Sequence, residues 1–355
     1  MTDALQTRPE DRILFVSMYP LRDVRSGPEV RIVNLLAALR ERVEVDLVSG
    51  ARAERRSAWL RYFRTHRLRR VSGVYVESSS ALPDPVDIAG LAAAKRRGIR
   101  VLTYVRDAYQ LFRDEYPAAN AWRGLVGRAF PLAVSALRRS SSALAFPTRR
   151  LAEAVLGERA GEAVVLPPGS PSPVEVPRDP SARSLLYVGD LRLAAQGGAT
   201  LIEAVDRVRR RGADLDLVCV VRPGGEPPNP PSWVRIERAG SDEIPRLLGG
   251  VLATVIPRAP GRYNDLALPI KLLDSLAYGR PLVVTDRRET ARLVRSAGAG
   301  IVVGDGPEAM ADGLGALATA PDEQLSTWSE AAHRAARTHA WPARADEILR
   351  FLSGS

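Results

Sequence analysis

The sequence predicts an α/β protein built from two doubly wound domains with parallel sheets. Short apolar runs alternate with helix-patterned segments, which is typical of parallel strands covered by helices on both faces. A proline-dense stretch at 167–180 interrupts this alternation, which restarts after it. At 355 residues the chain is long enough for two domains. We expect domains over 1–170 and 171–330, with helices in 331–355 crossing back.

The elements of the first half follow from apolar runs and helical spacing. Apolar residues recur every three or four positions in Glu29–Arg42, which predicts a helix, and a second helix is expected at Asp87–Arg97. A loop is expected from Tyr19 to Pro28. The predicted strands are Arg12–Met18, Val43–Ser49, Val74–Ser78, Arg100–Val105, Ala143–Phe146 and Ala163–Leu166.

The second half repeats the pattern and ends in helices. The predicted strands are Leu185–Gly189, Leu215–Val221, Trp233–Arg238, Leu252–Pro257, Pro281–Asp286 and Gly300–Val303. The predicted helices are Gly197–Arg211, Ile270–Tyr278, Thr290–Ala297 and further ones within Pro307–Leu352. Because open parallel sheets bind ligands at the carboxyl ends of their strands, we expect the site in a cleft between the domains.

Composition excludes several classes of protein. The single cysteine, Cys219, rules out an internal disulfide and cysteine-clustered metal sites, and the three histidines lack zinc-binding spacing. The motifs of dinucleotide oxidoreductases, P-loop enzymes and serine hydrolases are absent. No run of 18 apolar residues predicts a membrane span, and the polar start, 1–11, is unlike a secretory signal. We therefore expect a cytoplasmic protein.

Positive charge is concentrated in the first half. The net charge is +10, and residues 1–170 hold 28 basic against 18 acidic residues, so the whole excess lies there. All but two basic residues are arginine, as in proteins of GC-rich bacterial genomes; the two lysines are Lys95 and Lys271.

One segment of this half, 52–70, combines eight arginines and a single acid with Trp59, Tyr62 and Phe63 at helical spacing. It is expected to contact an anionic membrane or to attract a phosphate-bearing acceptor, unless it is a solvated helix with a partly buried aromatic face. Nucleic acid is not expected as a partner, since no recognised binding motif accompanies the charge.

The segment Asn264–Asp286 (NDLALPIKLLDSLAYGRPLVVTD) carries the most specific chemistry. A helix start attracts phosphate, Lys271 in its first turn adds a positive charge, and Asp274 on the same face can accept hydrogen bonds from a ribose diol. This combination suits a nucleoside diphosphate. The alternative is a solvated lysine beside an ordinary surface acid.

Here the sequence resembles the GT-B glycosyltransferases, in particular the large retaining family 4. The family pattern P-x-K-x-x-E-x-(L/M)-A-x-G-x-P-V-V-x-(T/S) is matched by Pro269, Lys271, Asp274, Leu276, Ala277, Gly279, Pro281, Val283, Val284 and Thr285, with aspartate in place of the usual glutamate. Ser26–Glu29 is similar to the family's GG-x-E loop, which includes Gly27, and Val165–Gly169 to its V-I-P-N-G segment. Leu186–Gly189 with Gly197 and Leu201–Ala204 is similar to its YVG…KG…LIEA.

The departures from the family pattern affect the expected charge of the site. Asp190 and Gln196 stand where the family has an arginine and a lysine that neutralise the donor diphosphate. Arg258 and Arg262 are the favoured substitutes, with Arg192 also available, unless these are solvated loop arginines. The family's histidine near the fourth strand is missing as well. Arg106 or Asp107 in that place contacts sugar or acceptor, or forms a strand-end salt bridge.

A DxD motif, Asp214–Asp216, lies at the start of a predicted strand, where alternating polar residues are ordinary, so a metal-binding role is not favoured.

Together these features predict a glycosyltransferase of the hexosyltransferase type that uses a nucleotide-sugar donor and an unidentified acceptor. The resemblance implies retention of configuration and no metal or other cofactor. The expected catalytic residues, on the acceptor side near Glu77, are Asp107, Arg106 and Glu29. The expected donor-binding residues are Gly27, Gly189, Arg192, Gln196, Arg258, Arg262, Pro269, Ile270, Lys271 and Asp274. The alternatives are an inactive GT-B-like scaffold and a nucleotide-sugar epimerase.

Overall fold

The computed structural model describes residues 12–21, 27–65, 67–117 and 120–354. The chain divides into two compact units. One comprises the chain up to Gly169 together with Trp341–Ser355, and the other is Ser170–Ala340.

Among the described residues, the first unit contains one parallel sheet in the strand order β2-β1-β3-β4-β5-β6. Its strands are β1 (Arg12–Ser17), β2 (Glu44–Val48), β3 (Gly73–Glu77), β4 (Arg100–Tyr104), β5 (Ala143–Phe146) and β6 (Val164–Val165). Its helices are α1 (Gly27–Arg40), α2 (Arg52–Arg64), α3 (Pro85–Arg96), α4 (Ala121–Ser140) and α5 (Arg149–Leu156). The direction of the chain across the sheet reverses between β1 and β3.

The second unit contains the other parallel sheet of the described chain, in the order β12-β11-β10-β7-β8-β9. Its strands are β7 (Ser184–Val188), β8 (Asp216–Val220), β9 (Val234–Glu237), β10 (Val251–Ile256), β11 (Leu282–Thr285) and β12 (Gly300–Val303). Its helices are α6 (Gly198–Arg210), α7 (Arg262–Leu266), α8 (Ile270–Ala277), α9 (Arg288–Ala297), α10 (Gly306–Ala318) and α11 (Asp322–Thr338). The reversal here lies between β7 and β10.

Both sheets are sandwiched between helices, which explains their apolar strands. Every residue of β10 (VLATVI) is buried, as is every residue of β3 (GVYVE). Continuous burial of this kind is typical of parallel strands covered on both faces. The predicted fold class is confirmed.

The helices α4 and α5 were not predicted from the sequence. Helix α4 contains two glycines and Pro131, and α5 has only eight residues, and both features count against predicting a helix from sequence. Within the described ranges, no helix has both the length and the hydropathy needed to cross a membrane.

The boundary expected at 330 lies instead at Ala340. The reason is packing: Ala331, Ala332 and Ala336 on α11 are buried in the same cluster as the apolar face of α8, so α11 belongs to the second unit. The last helix, α12 (Trp341–Ser353), packs on α1, β3 and β4 and belongs to the first.

The part of the proline-rich stretch 167–180 that follows Gly169 is bound to the second unit. The backbone N–H of Ser170 donates to the carbonyl of His339 (2.8 Å), and its hydroxyl donates to that of Leu273 (2.9 Å). The N–H of Val174 donates to Ala277 (2.8 Å). These bonds fix the stretch as an ordered part of that unit.

The aromatic stripe predicted in 52–70 does not face a membrane. Trp59 is fully buried and Tyr62 is 6% exposed. The indole N–H of Trp59 donates to Asp87 on α3 (3.0 Å), and Arg55 pairs with the same carboxylate (2.8 Å). The helix that carries these residues, α2, ends at Arg64, and Arg67–Arg70 form a separate 3₁₀ turn. The aromatics therefore attach α2 to the rest of the unit.

Replacing Trp59 by alanine is expected to destabilise the protein by about 3–5 kcal/mol, because it leaves a cavity in the core and removes one hydrogen bond to the buried Asp87. The adjacent Leu60 is 56% exposed, so Leu60→Ala is the matched control and should change stability by less than about 0.5 kcal/mol. Denaturant unfolding measures both. Equal effects of the two substitutions would show that Trp59 is not a core residue.

Candidate functional site

The reversal of strand order in the second sheet places two loops side by side. Residues 189–197 follow β7 and residues 257–269 follow β10, and these two strands are neighbours. Ligands of doubly wound sheets bind in the crevice at such a switch point, outside the carboxyl ends of the strands. Most of the predicted donor-binding residues lie in these loops or at the start of α8.

Lys271, in the first turn of α8, points into this crevice. Its ammonium donates to the side-chain oxygen of Gln196 (3.0 Å) and to the backbone carbonyl of Val188 (3.3 Å), and it lies 5.2 Å from the centre of the Tyr187 ring. All three partners are neutral. Burial, reinforced by the nearby charge of Arg258, lowers the pKa of Lys271 to about 7. The ammonium thus has no counter-ion within the described chain, and an anion would supply one.

Gly189 leaves the space that this arrangement needs. A Cβ atom there would lie 2.4 Å from the side-chain oxygen of Gln196 and 3.1 Å from the Lys271 nitrogen. The residue also has a φ of +151°, which side chains disfavour. A side chain at this position would therefore push the Gln196 amide out of its present place.

The Asp190 carboxylate does not form an ion pair with Lys271. Its carboxylate accepts hydrogen bonds from the backbone N–H groups of Arg192 (2.8 Å) and Leu193 (3.3 Å), an arrangement that closes a turn. Arg192 itself is exposed and reaches the carbonyl of Gly224 at 3.4 Å. Aspartate therefore shapes the loop where the family pattern has a cation.

Arg258 and Asn264 connect the two loops. Arg258 donates to the side-chain oxygen of Asn264, and Asn264, 3% exposed, donates in turn to the carbonyls of Ala195 (3.1 Å) and Ala259 (2.9 Å). The sequence analysis missed this role of Asn264. Arg258 is half-buried beside Lys271, whereas Arg262 is an exposed residue at the start of α7.

Asp274 lies one turn after Lys271 on α8 and is half-buried. In the described residues its carboxylate has no hydrogen-bond or ion-pair partner, and burial raises its pKa to about 7. Pro269 caps α8 and Ile270 is its first residue. An unpaired carboxyl group near a helix start can accept hydrogen bonds from ligand hydroxyls.

The predicted residues of the first unit form a separate cluster at the carboxyl ends of its strands. After β4, Arg106 pairs with Asp107 (2.6 Å) and also donates to the hydroxyl of Tyr19 (2.8 Å), which the sequence analysis did not single out. Arg106 and Asp107 border a pocket that Ser79, Ser80 and apolar side chains of α4 also line. Both members of the ion pair remain partly exposed, at 15% and 25%.

Two other predicted residues are near the start of α1. Gly27 is its first residue and Glu29, half-exposed, lies in its first turn; Ser26 lies outside the described residues.

Glu77 does not take part in this cluster as an accessible acid. It is 1% exposed and accepts hydrogen bonds from Arg31 (3.1 Å) and Tyr75 (2.7 Å). The sequence could not show that a buried arginine on α1 reaches it.

Both acids of the DxD motif form ion pairs, Asp214 with Arg183 and Asp216 with Arg209. Across the described parts of the chain, no group of three or more histidine, cysteine or acidic residues is placed to hold a metal ion.

Comparison with known proteins finds a family match for most of the second unit. Residues 182–320, which include the crevice, match the family model of Glycosyl transferases group 1. The second unit thus carries the sequence pattern of that family. No curated protein matches the chain in sequence.

Solved structures resemble the whole chain in fold. The glycosyltransferase WaaG, involved in lipopolysaccharide biosynthesis, has 15% identity and a TM-score of 0.63, over 97% of this chain and 100% of that one. HepE from Anabaena, in complex with UDP and glucose, has 13% identity and a TM-score of 0.65 with the same coverage. Sucrose-phosphate synthase from Thermosynechococcus elongatus has 13% and 0.64, over 96% and 98%. The chain has the GT-B fold.

Replacing Lys271 by methionine is expected to stabilise this GT-B protein by about 0.5–2 kcal/mol near neutral pH, because it removes a buried charge that has no counter-ion. The pKa of Lys271 is about 7 in the folded state and 10.5 when unperturbed, so between these values the unfolded chain binds more protons. The stability contributed by this residue therefore rises with pH across that window.

Consequently the advantage of K271M should be greatest at about pH 6.5 and smallest at about pH 10. Urea unfolding of parent and variant at both pH values measures it. A variant that is less stable than the parent at both would contradict the description of Lys271 as an uncompensated charge.

Proposed function

We propose that the chain transfers a sugar from a nucleoside-diphosphate sugar to the hydroxyl group of an acceptor. The observation that carries the proposal is the crevice at the ends of β7 and β10, where a buried ammonium and an unpaired carboxyl group lie one turn apart on α8. Lys271 would bind the diphosphate and Asp274 the ribose. The match to group 1 glycosyl transferases over 182–320 supports this assignment.

Transfer of the sugar requires positive charge beside the diphosphate leaving group. The bond between the sugar's anomeric carbon and the β-phosphate oxygen breaks, so negative charge grows on that phosphate. Lys271, and Arg258 beside it, would stabilise this charge. The acceptor oxygen forms the new bond, and its proton passes to the departing phosphate. This route requires no metal, and attack from the leaving-group side would retain configuration.

The acceptor is assigned to the first unit. Arg106 and Asp107, partly exposed beside a pocket, are proposed to orient the acceptor hydroxyl, together with Glu29 in the first turn of α1. We propose a hexose as the transferred group. UDP is the first nucleotide to test, because HepE, of the same fold, binds UDP and UDP-glucose.

Binding of UDP, GDP and TDP to the parent and to K271A and D274A tests the proposal by calorimetry. Loss of the ammonium should weaken the best nucleotide about tenfold or more, since charge-assisted hydrogen bonds contribute about 1.5–3 kcal/mol. D274A should weaken nucleoside diphosphates but not inorganic diphosphate, which lacks a ribose. Lys95→Ala, the change at the other lysine, is the control and should bind as the parent does.

A parent that binds none of these nucleotides would contradict the transferase and favour a scaffold, for which the acidic Asp190 at the site is an argument.

We further propose that the protein associates peripherally with an anionic membrane, through arginines rather than aromatics. Arg61, Arg64, Arg67, Arg69 and Arg70 are exposed, and none has an acidic partner among the described residues. Helices α2, α3 and α4 pack side by side, and α4 has no acidic residue. Leu60, Leu125 and Leu132 on these helices are 56%, 54% and 74% exposed. Cationic charge with exposed leucine suits the surface of an anionic bilayer.

Sedimentation with vesicles containing phosphatidylglycerol tests this surface. The double variant R61Q/R64Q should bind at least about tenfold more weakly, at about 1 kcal/mol per arginine. The matched control is R334Q/R337Q on α11, with the same spacing, which should leave binding unchanged. Leu132→Ser should also weaken binding, whereas Leu193→Ser, at a 52% exposed position of the second unit, should not. Equal binding by all four would exclude this surface.

A further inference from the structure

Gln196 occupies the position where the family pattern has a lysine, yet it contacts the one lysine that the site does have. Its side-chain oxygen accepts hydrogen bonds from the Lys271 ammonium (3.0 Å), the Tyr187 hydroxyl (3.3 Å) and, more weakly, the backbone N–H of Asp190 (3.4 Å). An ammonium and a backbone N–H can only donate. The surroundings therefore fix the orientation of the amide, with its oxygen toward Lys271.

The other end of the same amide is unused. Within the described residues its NH₂ group has no hydrogen-bond partner, although the side chain is half-buried in the crevice. The group can donate two hydrogen bonds without adding charge. Gln196 thus offers an acceptor to Lys271 and donors to an incoming anion.

A cation at this position would act differently from glutamine. It would add positive charge to the site, but it cannot accept a hydrogen bond from the Lys271 ammonium and so would not hold that ammonium in place. A carboxylate would hold Lys271 firmly but neutralise it, leaving little attraction for a diphosphate. A neutral acceptor is the choice that fixes the position of the ammonium and leaves its charge available.

We propose that Gln196 is a positioning residue, whose side-chain oxygen holds the Lys271 ammonium at the carboxyl end of β7 for a diphosphate and whose NH₂ group donates to the same anion. The inference rests on the proposed function. It means that this chain uses an uncharged amide at a position where the family pattern has a lysine. Gly189 belongs to the same arrangement, because a Cβ atom there would overlap the Gln196 side-chain oxygen and crowd the Lys271 nitrogen.

The protonation of Lys271 can be used to test this arrangement, because few ionisable groups surround it. They are Tyr187 on β7, Asp190 in the following loop, Arg258 after β10 and Asp274 on α8 itself. Of these, only Arg258 shifts the pKa of Lys271, and it does so downward together with burial. A bound diphosphate would raise this pKa, so binding above neutral pH should take up a proton.

Calorimetry of UDP binding in buffers of different ionisation enthalpy measures this uptake. At about pH 8 the parent should take up close to one proton, and K271M close to none. Gln196→Leu removes the acceptor but leaves the lysine uncharged at this pH, so affinity should fall about tenfold while proton uptake persists. Gln196→Glu charges Lys271 before UDP arrives, so affinity should fall at least as far and proton uptake should drop toward zero.

The control is Gln324→Leu, the same change at an exposed glutamine of α11, which should match the parent in affinity and uptake. If the parent binds UDP and both Gln196 variants match it in affinity and proton uptake, the positioning role is wrong while the proposed function stands. Equal proton uptake by Q196L and Q196E, with reduced affinity, would show a merely structural role. A parent that binds no nucleoside diphosphate overturns both proposals.

Discussion

A buried ammonium with only neutral partners is the constraint on which the rest of this site depends. Removing a charge from water is costly, and a protein normally offsets that cost with an opposite charge. Lys271 has a carbonyl, an amide oxygen and an aromatic ring instead. The folded chain therefore keeps a positive charge without a counter-ion at the end of its central strands. A bound anion would supply that counter-ion and stabilise the Lys271 ammonium.

The surrounding features serve that ammonium. The reversal of strand order between β7 and β10 opens the crevice, and α8 begins at its edge, so the helix dipole and the lysine act on the same space. Gly189 keeps the turn free of a side chain, and Asn264 ties the loop after β10 to the loop after β7. The fold thus positions a small number of polar groups with rigid elements on both sides.

How far the sequence predicts the structure depends on the kind of contact. The two sheets and the lysine helix follow from local patterns and from a motif, so they were predictable. For the aromatic stripe of α2 the sequence left both a membrane-facing and a partly buried face open, because three-to-four spacing marks one face of a helix but not whether that face meets water or α3. From the sequence, Glu77 was expected at the end of a strand near the acceptor site. Its hydrogen bond with Arg31 depends on how α1 packs on the sheet, which the sequence does not show. Asn264 and Gln196 act through contacts across separate loops, which leave no local pattern.

The most direct test of the account is the titration of Lys271 itself. Since the chain has two lysines, NMR of protein carrying ¹³C-labelled lysine gives two side-chain signals, and K271M assigns them. One signal should titrate with a pKa of about 7, and added UDP should move that pKa upward by at least about two units. A Lys271 that titrates at its ordinary value and does not respond to UDP would contradict the central claim.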